Sequence, residues 1–123
     1  MCTGQSKELE AMGDMMKLGV IEYIDCAHYL PGHQKCGSLH GHTYKVEVVI
    51  EGENKSGMII DFAELKNSLR ETLSAYDHHS FNEFLDYPSV ENICEMIKHK
   101  LGERMPFPFT LRVWEGQGKW AEL

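Results

Sequence analysis

Long hydrophobic runs are missing from this chain of 123 residues. No apolar stretch approaches the ~20 residues that a membrane span requires, so the sequence predicts no membrane partner. The start, Met1 to Met16, lacks the apolar core of an export signal and carries Glu8, Glu10 and Asp14, which predicts a soluble, cytoplasmic protein. An excess of positive charge is missing too. With 12 Lys and Arg against 19 Asp and Glu, the formal net charge is -7. That is the wrong sign for gripping nucleic acid through its phosphates, so no nucleic-acid partner is expected. A small anionic ligand stays open, because a bound cation dominates the field of its own site. The four cysteines, Cys2, Cys26, Cys36 and Cys94, show no disulfide-like spacing. In a reducing compartment, Cys beside His points to metal binding or catalysis.

What is present reads as one domain. Usage is ordinary for a soluble protein, at 42% hydrophobic and 25% charged residues, and the length suits a single core. Residues 1–16 lack any period and form an N-terminal tail, read as a disordered arm, a short helix or an upstream start. The domain then runs over 17–123. Residues 17–29 are strand-like, with Val20, Ile21, Tyr23 and Ile24. Pro31, Gly32 and Gly37 mark a loop. From Thr43 to Glu51, Tyr44, Val46, Val48 and Ile50 alternate with polar side chains, the clearest strand of the chain. Asp61 and Glu64 stand at capping-box spacing before Phe62, Leu65, Leu69, Leu73 and Tyr76, which recur at helical intervals to about Ala75. Pro88 and Ser89 open a second helix with the stripe Val90, Ile93, Ile97 and Leu101, and Gly102 reads as its stop. Strands over 109–115 and 119–123 close the chain. The order β-β-α-α-β-β predicts an α+β fold: an antiparallel sheet with both helices on one face. Such a sheet leaves open edges, so a homo-oligomer is expected.

The candidate chemistry begins at His40-Gly41-His42. Side chains two apart in a strand share a face, about 6.5–7 Å apart along the backbone, so both imidazoles can converge on one ion. A pair of hydrogen-bonded core histidines is the competing reading. His28, at the end of the preceding strand, tips the balance, because an antiparallel neighbour can present it to the same point. Three neutral imidazoles leave zinc an open coordination place. Iron and copper are less well matched, since no carboxylate triad or copper-type Met and Cys set is evident. Cys36, four residues before His40, is either a fourth ligand that closes a structural site or a free thiol made reactive by the cation beside it. Asp77 and His78 make a proton relay or a solvated helix end. Glu115 ends an apolar strand face, where a carboxylate can accept two hydrogen bonds from a guanidine-like ring edge. Glu91 lies in the first turn of the second helix, which the helix dipole alone explains. His33 and His99 read as surface histidines.

Together, Ala27-His28, Cys36-Gly-Ser-Leu-His40-Gly-His42, Ile60-Asp-Phe-Ala-Glu-Leu-Lys66, Asp77-His-His-Ser-Phe-Asn82, Ser89 to Ile93 and Trp114-Glu115 resemble the 6-pyruvoyl-tetrahydropterin synthase / 6-carboxy-tetrahydropterin synthase family. The resemblance covers nearly everything after the tail, in the family's order. It implies the tunnelling fold, ring-like trimers or hexamers, and active sites between subunits. It implies Zn2+ held by His28, His40 and His42, catalysis by Cys36, Asp77 and His78, and pterin binding by Glu115 with Glu91 assisting. The implied substrate is 7,8-dihydroneopterin triphosphate. Three residues between Cys36 and His40 are typical of the 6-carboxy branch, which releases acetaldehyde and triphosphate on the way to 7-deazapurines of the queuosine or archaeosine type. The 6-pyruvoyl branch, an aldolase-like pterin relative and a non-catalytic zinc-stabilised scaffold are the alternatives. Cys26, beside Ala27-His28, and Ser89, where the family has Thr, depart from the pattern.

Overall fold

The alternation around Tyr44 becomes the backbone of the molecule. In the computed structural model, which describes residues 14–123, two fourteen-residue strands, β1 (Met15–His28) and β2 (His40–Glu53), pair antiparallel along their whole length. β3 (Thr110–Glu115) pairs antiparallel with β2, and β4 (Lys119–Glu122) with β3, giving the sheet order β1-β2-β3-β4. Between β2 and β3 lie the helices α1 (Phe62–Leu73) and α2 (Val90–Gly102), with a short 3-10 turn at Phe81–Glu83. The expected β-β-α-α-β-β order is the observed one. Of the expected tail, residues 1–13 lie outside the described residues, and Met15 and Met16 already belong to β1.

Period-two patterning sorts the sheet into two faces. Val20, Ile24, Tyr44, Val46, Val48, Leu111 and Val113 are buried, and their layer packs beneath Leu65, Leu69 and Leu73 of α1 and Ile93, Ile97 and Leu101 of α2. Each such side chain contributes about 1.5–3 kcal/mol by leaving water. The helices start where polar caps satisfy their first amides. The Asp61 carboxylate accepts from Ala63 N at 2.8 Å, and Ser89 Oγ accepts from Asn92 N at 3.2 Å. The capping box expected at Asp61 and Glu64 forms elsewhere, at Ser80 and Glu83 of the 3-10 turn. Gly102 is the last residue of α2 rather than a residue beyond it, and Glu103 caps the helix. The far sheet face and its edges leave Tyr23 and Trp120 exposed. No described helix is long and apolar enough to cross a membrane.

Candidate metal centre and active site

Register brings the histidines together. His28, the last residue of β1, is the cross-strand partner of His40, the first of β2, and His42 stands opposite Cys26 on the same face. The three rings lie 4.6 to 5.0 Å apart between centroids. One nitrogen from each lies within 4.8 Å of the others, the spacing of a cluster that could hold a metal ion.

Hydrogen bonds decide which nitrogen each ring offers. His28 Nδ1 stands 2.8 Å from Pro88 O, and His40 Nδ1 stands 2.6 Å from Ser38 O. A carbonyl only accepts, so both Nδ1 atoms carry the proton and both Nε2 atoms present a lone pair. His28 is 1% exposed, and its Nε2 has no hydrogen-bond partner; neither has His42 Nε2. A buried nitrogen left without a partner costs about 1–3 kcal/mol, which a ligand shared by the two would relieve. The donor set fits a divalent cation of the zinc kind. Burial, with the neighbouring His28 and His40 adding to it, pulls the pKa of His42 below its ordinary 6.5, although Glu115 opposes the shift. His42 is therefore neutral and able to ligate at pH 7.

Glu115 ends β3 directly across from Tyr44. Its carboxylate oxygens lie 3.9 Å from His28 Nε2 and 3.6 Å from His42 Nε2, and Lys119 Nζ pairs with it at 3.1 Å. Its closeness to the imidazoles was hidden in the sequence, because it depends on β3 register. Cys36 is half-buried in the loop between β1 and β2, and its thiol makes no hydrogen bond among the described residues. Cys26, by contrast, is buried with its thiol donating to Tyr76 O, and burial pushes its pKa up to about 12. It is a packing thiol, not a reactive one.

Asp77 and His78 sit along the outer edge of β1. His78 N donates to Asp25 O at 2.8 Å, and Ala27 N donates to His79 O at 3.0 Å, so this segment borrows the free edge of the strand. Asp77 Oδ1 accepts from Asp25 N at 2.9 Å and lies 3.1 Å from His78 Nδ1. His78 is thereby oriented with Nε2 outward, at 78% side-chain exposure and with a left-handed φ of 65°. A non-glycine residue held there is strained, and such strain clusters at functional sites. Asp25, which no sequence motif singles out, joins the site: its backbone holds both members of the pair, and its carboxylate accepts from Thr43 Oγ1 at 2.6 Å. His42 and His78 line one open groove together with Asp25, Ala27, Gly41 and Thr43. Glu91 is exposed in the first turn of α2, two residues beyond the Ser89 cap and three beyond Pro88, whose carbonyl orients His28.

The family model described as 6-pyruvoyl tetrahydropterin synthase matches residues 17–123. The chain belongs to the 6-pyruvoyl tetrahydropterin synthase family. A protein of Archaeoglobus fulgidus, provisionally named 6-carboxy-5,6,7,8-tetrahydropterin synthase, is 42% identical over 91% of this chain and 98% of its own length. The dihydroneopterin monophosphate aldolase of Pyrococcus furiosus is 38% identical over 81% of this chain and 90% of its own. The Caenorhabditis elegans 6-pyruvoyl tetrahydropterin synthase structure superposes with a TM-score of 0.82 at 21% identity, covering 91% of this chain and 96% of that one, which shows the shared fold.

Proposed function

We propose that this member of the pterin synthase family is a zinc-dependent 6-carboxy-5,6,7,8-tetrahydropterin synthase acting on 7,8-dihydroneopterin triphosphate and serving 7-deazapurine synthesis in the cytoplasm. One observation carries the reading. Three imidazoles converge with their ligand atoms within 4.8 Å, and two of the Nε2 atoms are buried without a partner. His28, His40 and His42 are the ligands, and the bound Zn2+ supplies Lewis-acid polarisation of the substrate's side-chain oxygens.

The remaining chemistry belongs to the chain. The free Cys36 thiol removes and returns protons at the side-chain carbons. Asp77, 3.1 Å from His78 Nδ1, fixes the imidazole tautomer so that His78 Nε2 is the basic atom. Glu115, 13% exposed at the rim, accepts two hydrogen bonds from the guanidine-like edge of the pterin and orients the ring. Glu91 assists from the start of α2. Beyond its end at Asp25–Ala27, where the Asp77–His79 segment bonds to it, the β1 edge pairs with no strand among the described residues, and the exposed Tyr23 and Trp120 mark sheet surfaces left uncovered in a single subunit. Both features support a ring-like trimer or hexamer in which the Asp77–His78 pair serves the site of an adjacent copy.

The similarity to the Pyrococcus furiosus aldolase favours one second reading: cleavage of the monophosphate's side chain to a two-carbon phosphorylated aldehyde. A single experiment separates the readings. Zinc-loaded protein is incubated with the triphosphate and, separately, with the monophosphate, and the aldehydes are identified by mass spectrometry. Acetaldehyde and triphosphate from the first substrate are the expected products. Turnover of that substrate without acetaldehyde assigns the 6-pyruvoyl chemistry instead. Turnover of the monophosphate alone assigns the aldolase.

A further inference from the structure

The loop that carries Cys36 is built around one side chain outside the proposed site. His33 Nδ1 lies 2.9 Å from Cys36 N and 3.2 Å from Lys35 N, and both amides donate to it. An imidazole nitrogen that accepts two N–H groups carries no proton of its own, so neutral His33 holds its proton on Nε2. The backbone of the same residue closes the loop from the other side. His33 N donates to Leu30 O at 3.0 Å, and Leu30 N donates to Cys36 O at 2.7 Å. Both backbone polar groups of Cys36 are therefore fixed, one by the His33 ring and the other by Leu30, to which His33 is itself tied. Gly37 completes the arrangement: a Cβ there would fall 2.5 Å from His33 O, so only glycine lets the chain pass so close.

We infer that His33 is a positioning residue that holds the Cys36 backbone, and hence the direction of its thiol, through the acceptor at Nδ1. The inference rests on the proposed role of Cys36 for its catalytic consequence, but not for the anchor itself. Nδ1 occupies the place of the side-chain oxygen in an Asn-capped turn, where the acceptor likewise reaches amides two and three residues ahead. His33→Asn is therefore the conservative replacement that keeps both bonds, and His33→Ala removes them.

The test combines turnover with amide hydrogen exchange on the zinc-loaded protein. In His33→Ala, kcat falls about tenfold with KM within about twofold, because a misdirected thiol loses rate rather than substrate affinity. The Cys36 amide exchanges about tenfold faster there. His33→Asn restores both to within about threefold of wild type, while zinc content is unchanged in both variants. His99→Ala, at an exposed histidine of α2, changes neither quantity. Two results overturn the inference: His33→Asn as impaired as His33→Ala, or His33→Ala with wild-type turnover and Cys36 exchange. Cys36→Ser keeps the two readings apart. If that variant turns over normally, the proposed role of the thiol fails, while the exchange data still decide whether His33 anchors the loop.

Discussion

Removing His42 should cost stability only when zinc is present. In the metal-free chain, His42→Ala loses edge-on ring contacts with His40, His28 and Tyr44, at centroid distances of 4.8, 5.0 and 5.8 Å. Those are worth about 0.5–1.5 kcal/mol each. The same change removes a sealed Nε2 with no partner, whose burial costs about 1–3 kcal/mol. The two effects offset, and metal-free His42→Ala should unfold within about 1 kcal/mol of metal-free wild type. Zinc separates them. At free zinc one hundredfold above Kd, the wild type gains about 2.7 kcal/mol. In a chain of this size that raises the thermal midpoint by about 10 °C. With two imidazoles left, His42→Ala should rise by less than about 2 °C at the same zinc concentration. Calorimetry of chelator-treated and zinc-loaded proteins measures all four states. Equal destabilisation of His42→Ala in both forms would make its role packing and rule out a metal ligand at this position.

Three further outcomes follow from the same geometry. Because burial lowers the pKa of His42, the unfolded chain binds more protons there than the folded one as pH drops below 6.5. Metal-free stability should then fall from pH 7 to 5, with a shallower slope in His42→Ala; parallel slopes in thermal melts would contradict this. In a Cys2→Ser background, alkylation at pH 8 should mark Cys36 first, since burial holds Cys26 near 12 and also raises Cys94. Early labelling of Cys26, read by peptide mapping, would show that the β1 end opens. Ile97→Ala, fully buried on α2, should cost about 2–5 kcal/mol in urea unfolding while zinc affinity of the folded protein holds. Lost affinity in folded protein would tie the core to the site more closely than the structure does.

The elements were legible where a period runs long enough to show. Tyr44 to Ile50 and Phe62 to Leu73 declare their strand and helix by side-chain alternation alone, and Ser89 marks the start of α2 by its capping chemistry. The 3-10 turn at Phe81–Glu83 was not legible, since three residues carry no period. Of the site, the histidine cluster could be read because parity within β2 and adjacency of β1 suffice to assemble it. The distance of Glu115 from His28 and His42 could not, because it depends on which residues of β2 and β3 pair. Asp25 and His33 were hidden for a related reason. Asp25 holds the pair through its own backbone groups, and the His33 ring nitrogen accepts from amides of its own loop, neither of which a residue type announces.

X-ray absorption at the zinc edge of the loaded protein tests the centre most directly. Three nitrogen neighbours at about 2.0–2.1 Å and an oxygen from solvent or substrate are expected, with no sulfur in the shell. A sulfur neighbour at about 2.3 Å would place Cys36 on the metal, close the coordination place the chemistry needs, and contradict the proposed enzyme.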